Sequence, residues 1–136
     1  MQAQYKFNLV RGEDKSIPFT FFYRYPNSRK QEPVELTGLD FLLVVRDWRT
    51  NEELARLSTD DGNIVLGNMV DLEFIEATEE EEAETVLVIF PHEVTEKFDG
   101  NRAVFELFAI SRNETGENRQ CLVIGEIKIL RGVDYV

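Results

Sequence analysis

The chain has 136 residues, with 15 Lys and Arg against 26 Asp and Glu and a single His, a formal net charge of −11. A domain of this length buries enough surface for one core without metal or disulfide staples. A hydrophobic fraction of 43% with ten Phe excludes global disorder, and the acidity excludes a general nucleic-acid binder, which needs clustered Lys and Arg to neutralise phosphates.

At the N-terminus, residues 1–10 carry neither an apolar signal region nor a small-residue cleavage site. No run approaches the roughly 20 apolar residues of a membrane span. The expectation is synthesis in a cytoplasm, with no membrane partner. Residues 1–9 and 130–136 read as short terminal arms of one domain spanning 1–136.

Ile17, Phe19, Phe21, Tyr23 and Tyr25 alternate with Thr20 and Arg24, the period-two pattern of a half-buried strand. Leu39–Val45 is apolar on both faces, as a strand covered on both sides would be. Asp60-Asp61-Gly62-Asn63 has the chemistry of a tight turn, as do Pro26-Asn27-Ser28, Leu36-Thr37-Gly38, Leu66-Gly67-Asn68, Asp99-Gly100-Asn101 and Asn113-Glu114-Thr115-Gly116.

Charge is concentrated in the middle of the chain. No Lys or Arg occurs between Arg56 and Lys97, and residues 71–84 hold eight acids, without which eighteen acids would face fifteen bases. Val70, Leu72 and Phe74 alternate with acids in a further strand, 69–76. Glu79–Glu82 then form the expected solvent-exposed tip of an acidic hairpin insertion before a strand at 84–90. The run has neither the Asp spacing nor the central Gly of a calcium loop, so no metal is expected there.

Pro91–Phe98 begins with Pro, carries acids early and Lys late, and spaces Val94 and Phe98 four apart. These features suggest a short helical turn near 91–98, with Pro at the first helical position. The strand from Ala103 then has two apolar faces. Ala103, Phe105, Leu107 and Ala109 point one way, and Val104, Phe108 and Ile110 the other, with Glu106 among them. If the first set faces the core, the second is a candidate interface, joined by Leu42 and Val44 if their strand lies nearby in the same orientation; the alternative is that a terminal arm, 1–9 or 130–136, or the acidic hairpin covers this face within the chain. Ile127 and Ile129 mark the inward face of the last strand. The expected core is Phe19, Phe21, Phe41, Leu43, Leu72, Phe74, Phe105, Leu107, Ile127 and Ile129. The architecture is an all-β sandwich of about seven to nine strands.

Catalytic constellations are sparse. A Cys–His pair requires His92 beside Cys121, and Cys121 lies in an apolar strand where a thiol acts as a small hydrophobe. As the sole Cys, it forms no intrachain disulfide. Phosphate-binding and dinucleotide glycine motifs are absent, and no cofactor is expected. Trp48, at a strand end, reads as a plug at the rim of the core rather than a sugar-stacking platform.

The order of motifs is itself informative. Val10-Arg11-Gly12-Glu13-Asp14 precedes a Phe-rich strand, then Pro33-Val34-Glu35-Leu36-Thr37-Gly38, a strand ending Val45-Arg46-Asp47, Leu54-Ala55-Arg56-Leu57-Ser58 and Asn63-Ile64-Val65-Leu66. Phe105-Glu106-Leu107 and Gly125-Glu126-Ile127-Lys128-Ile129 close the series. Over residues 8–131 this resembles the small immunoglobulin-like domains of bacteriophage tail and baseplate proteins, including the N-terminal domain of upper-baseplate receptor-binding assemblies. The resemblance implies an immunoglobulin-like sandwich with no catalytic residues. It implies a virion structural role, as a tail, baseplate or fibre-adaptor subunit forming homo-oligomers and docking other tail proteins, with no nucleic acid bound. The competing reading is a free-standing carbohydrate- or cell-surface-binding sandwich module.

Overall fold

The computed structural model describes residues 3–24, 31–68 and 84–131. In chain order its elements are β1 (Ala3–Val10), β2 (Lys15–Thr20), β3 (Phe22–Arg24), β4 (Gln31–Pro33), β5 (Asp40–Asp47) and β6 (Glu53–Ser58). They continue with β7 (Ile64–Asn68), β8 (Glu84–Phe90), α1 (His92–Thr95), β9 (Arg102–Asn113) and β10 (Gly116–Leu130). The chain is an all-β sandwich. A five-stranded sheet, ordered β1-β10-β9-β5-β6, packs on a three-stranded sheet, β2-β8-β7, and β3 and β4 form a separate two-stranded ribbon.

Alternation along each strand decides which side chains meet between the sheets. Leu43, Val45, Phe105, Leu107, Ile127 and Ile129 face inward from the larger sheet, and Ile17, Phe19, Ile64, Val86, Val88 and Phe90 from the smaller. Of the expected core, Phe19, Phe41, Leu43, Phe105, Leu107, Ile127 and Ile129 are buried and Phe21 is half-buried; Leu72 and Phe74 lie outside the described residues. Aromatic rings link the layers. Phe7 lies 5.8 Å from Phe90 and 5.4 Å from Phe105, and Tyr5 meets Phe19 edge-on at 5.4 Å. Such offset and edge contacts add about 0.5–1.5 kcal/mol each beyond burial.

Four expectations change, and of the expected C-terminal arm 130–136, Leu130 ends β10 while 132–136 lie outside the described residues. Leu66-Gly67-Asn68 is not a turn but the end of β7, paired with Glu84–Val86 of β8. Residues 3–9 are not an arm: they belong to β1, which pairs in parallel with β10 from Ala3↔Val123 to Val10↔Leu130 and buries Leu9 completely. The approach of β1 requires a glycine at 125, because a Cβ there would stand 1.7 Å from the Tyr5 carbonyl oxygen. The early strand also breaks at Phe21, so Ile17 and Tyr23 occupy different sheets. Finally, the helical turn is shorter than 91–98, and Pro91 sits in the extended cap position before it (φ −72°, ψ 155°).

Buried Thr95 anchors α1. Its hydroxyl donates to the Glu13 carbonyl at 2.9 Å and accepts from the Gly12 amide at 3.0 Å, which ties the helix to the β1–β2 turn. Gly12 has φ +85°, a left-handed conformation that glycine adopts without steric cost. The Asp60–Asn63 stretch is a tight turn, with the Gly62 amide donating to the Thr59 carbonyl at 3.1 Å. The strand expected at 69–76 and the acidic tip Glu79–Glu82 lie outside the described residues. Glu84, at the start of β8, accepts from the Leu36 amide at 3.1 Å and from the Thr37 hydroxyl. One acid of the 71–84 run therefore fastens the Leu36-Thr37-Gly38 turn.

Candidate functional site

Strand register places the candidate interface on the face of the five-stranded sheet turned away from the sandwich core. In β5 and β9, Leu42 pairs with Phe108 and Asp40 with Ile110, while Val44 pairs with Glu106 and Arg46 with Val104. The alternate residues Leu43, Val45, Phe105 and Leu107 belong to the core. Leu42, Val44, Ile110 and Phe108 form a second apolar cluster, separate from the main one. Val104 is not part of it: Glu106 intervenes, and Val104 instead lines a depression of about 400 Å³ with Gln4, Ile124 and Glu126.

Side-chain exposure on this face departs from the expectation. Leu42, Val44 and Ile110 are only 6%, 4% and 6% exposed, and Phe108 is half-buried. Charged side chains frame the cluster. Arg112 pairs with Asp40, Arg119 Nε donates to Glu117 at 2.8 Å, and Arg56 Nη2 to Glu53 at 2.7 Å. Arg56, Arg112 and Arg119 line, with Leu42 and Ile110, a depression of about 200 Å³. Long arginine stems cover apolar surface while their heads stay in water, so this rim is greasy below and charged above. Hydrogen bonds from Arg119 and Arg56 hold the Glu117 and Glu53 carboxyls below their usual range.

At the opposite end of β9 lies a wider cleft of about 570 Å³. Lys6 and Asn8 reach it from β1, Glu126 and Lys128 from β10, Arg102 from β9, and Trp48 from the β5–β6 connection. Trp48 does not plug the core. It is 47% exposed, and the Arg102 guanidinium lies over its ring, 5.0 Å from the centroid. The Asp47 side chain organises this connection by accepting from the amides of Arg49 at 2.8 Å and Thr50 at 3.1 Å, which lowers its pKa. Asn51 closes the turn at φ +62°, in the left-handed region that Asn tolerates.

His92 and Cys121 are not brought together. The His92 amide and Nδ1 contact Asp14 Oδ1 at 2.6 and 3.1 Å, and Nε2 lies 3.3 Å from Glu93. The Asp14 contact foremost, then the Glu93 charge, raises the His92 pKa. Cys121 lies opposite Phe108 beside the bulge between Cys121 and Val123, and partial burial pushes its thiol pKa up, away from nucleophilic thiolate.

No protein-family model matches the chain, and no curated protein resembles it closely enough in sequence to count as a relative.

Proposed function

We propose that the chain is a non-enzymatic structural subunit that assembles through the outer face of its five-stranded sheet. Its proposed setting is the one its sequence resembles: a virion, in a bacteriophage tail, baseplate or fibre adaptor. The observation that supports docking is the second apolar cluster. Leu42, Val44, Phe108 and Ile110 gather apart from the core, on a face that the three-stranded sheet does not cover. Leu42, Val44 and Ile110 are themselves almost wholly buried, so docking rests on half-buried Phe108 as the apolar anchor and on the charged rim around it.

Charge supports a second copy of the chain as the first partner. By register the outer face carries Lys6, Arg46, Arg56, Arg102, Arg112, Arg119 and Lys128, against Asp40, Glu53, Glu106, Glu117 and Glu126. The remainder of the sequence then has eight Lys and Arg against twenty-one acids. Such a face complements the rest of another copy better than it complements itself. The contact is therefore head-to-tail, and head-to-tail contacts close into rings when the rotation permits. Ring closure suits a tail or baseplate layer, with other tail proteins docking on the ring.

Sedimentation equilibrium tests the docking. The wild-type chain is expected to self-associate at 50 mM salt and less so at 500 mM, because charged rims are screened. Phe108→Glu and Arg119→Glu should each weaken association while the chain stays folded, Phe108→Glu with some loss of stability because Phe108 packs on the apolar cluster. A chain that stays monomeric to millimolar concentration, or associates equally in both variants, would refute the proposal.

A further inference from the structure

We propose that the cleft beside Trp48 is a binding site for a carboxylated oligosaccharide. It lies on the same outer sheet face, at the far end of β9 from the apolar cluster, and shares Lys6, Arg102 and Lys128 with the charges of the docking reading, but binding here requires no assembly.

Saccharide recognition needs an exposed aromatic ring for the apolar face of a sugar, amides for its hydroxyls and, for an acidic sugar, cations for its carboxylate. Trp48 supplies the ring through the exposed part of the indole that the stacked Arg102 leaves open, Asn8 and Asn101 the amides, and Arg102, Lys128 and Lys6 the cations. Lys6 is 3.9 Å from Glu126, the acid that lines the cleft. Arg102 and Lys128 have no ion-pair partner among the described residues, so their charge is available on a chain whose net charge is −11. A basic pair without an ion-pair partner among the described residues favours anionic ligands.

The geometry is also preorganised. Stacking on the indole holds the Arg102 guanidinium over the ring, where its N–H fork can receive a carboxylate with two parallel hydrogen bonds. Asp47 fixes the connection that carries Trp48, residues paired in the β1–β10–β9 ladders carry Lys6, Asn8, Arg102 and Lys128, and Asn101 is held by the Ile129 amide donating to its carbonyl at 3.0 Å. The volume of about 570 Å³ falls within the 300–1,000 Å³ of small-molecule sites and accommodates more than one sugar ring. Its open walls mix apolar and polar surface, which suits a ligand with both an apolar ring face and hydroxyls. An acidic peptide could satisfy the cations but would leave the sugar-stacking ring and the amides without a role.

Trp48 is the sole tryptophan, so its emission reports on this cleft alone. The probes are tetragalacturonate, a hyaluronan tetrasaccharide and sialyllactose, with methyl-esterified tetragalacturonate as the uncharged control and hexaglutamate as the peptide control. We expect a saturable change in Trp48 emission with at least one carboxylated saccharide. Binding should weaken at least tenfold in Arg102→Gln and in Lys128→Gln, both exposed positions whose replacement leaves the fold intact. Trp48→Ala should abolish binding measured by calorimetry. The proposal is overturned if none of the three saccharides changes the emission, or if the esterified control binds as tightly as the acid. It is equally overturned if hexaglutamate saturates the site while the saccharides do not, which would make the cleft a peptide-docking site.

Discussion

Replacing Gly125 with Ala tests how β1 is seated against the rest of the sandwich. The added Cβ would stand 1.7 Å from the Tyr5 carbonyl oxygen and 2.8 Å from Phe105 Cε1. Carbon contacts are favourable only near 3.5–4.0 Å, so β1 must retreat by more than an ångström. No rotamer relieves this, because the obstacle is backbone. A retreat loosens a parallel ladder of eight residue pairs and draws Phe7 away from Phe90 and Phe105. Adjustment with β1 still paired costs about 1–3 kcal/mol, the range for overpacked cores. Release of β1 exposes fully buried Leu9 and half-buried Phe7, at about 1.5–3 kcal/mol for a full side chain. We therefore expect a loss of about 3 kcal/mol or more in urea unfolding, with hydrogen exchange accelerated in residues 3–10. Gly38→Ala is the control. Gly38 has φ +86° and no atom within 4 Å of its added Cβ, so its cost is conformational alone, about 1 kcal/mol. A Gly125→Ala loss below 1 kcal/mol, with β1 as protected as in the wild type, would refute the placement of β1.

Three further outcomes follow from the packing and the ion pairs. Phe105→Ala should cost about 3–5 kcal/mol by urea unfolding, since the ring is 1% exposed and touches both Phe7 and Phe19. Glu84→Ala should cost about 1–2 kcal/mol, because the Leu36 amide and Thr37 hydroxyl lose their acceptor, whereas Glu84→Gln, which keeps one carbonyl oxygen, should cost less. NMR titration of His92 should give a pKa above the ordinary 6.5 that falls in Asp14→Asn, its foremost cause being removed. The raised His92 makes the pair's contribution full below about pH 6.5 and lost as pH rises through the folded-state value. The lowered Asp14 makes it present above about pH 4 and lost as pH falls through the depressed value. Stability from this contact is thus greatest between about pH 4 and 6.5; the difference between wild type and Asp14→Asn should vanish below that window and above it shrink to the part that comes from the His92 amide bond to Asp14.

Alternation made the sandwich legible because each strand has one face fixed by burial. Ile17 and Phe19 in β2, and Phe105 and Leu107 in β9, face the core their period-two pattern implies. The same arithmetic places Leu42, Val44, Phe108 and Ile110 together on the outer face, since register preserves the parity of every strand. It says nothing of how much solvent reaches them. That depends on side chains brought in from β6, β9 and β10, such as Arg56, Arg112 and Arg119. The parallel pairing of β1 was likewise invisible: it joins chain segments about 120 residues apart, and its one local trace is a glycine in the middle of β10. The strand-end position of Trp48 suggests a core plug because sequence alone does not reveal which way the connection turns. Asp47 decides that through hydrogen bonds to Arg49 and Thr50. Glu84 belongs in composition to the acidic run, yet its partners lie 47 and 48 residues away in sequence.

Amide and methyl chemical shifts recorded from dilute to concentrated protein test the docking face most directly. Head-to-tail association through the outer sheet face predicts one set of shifts concentrated at Leu42, Val44, Phe108 and Ile110, with smaller ones at Arg56, Arg112 and Arg119, and a second set on a different surface of the chain. Core-facing Leu43, Phe105 and Leu107 should move little, and the pattern should disappear in Phe108→Glu. Shifts confined to β2, β8 and β7, or spectra unchanged at every concentration, would contradict the account.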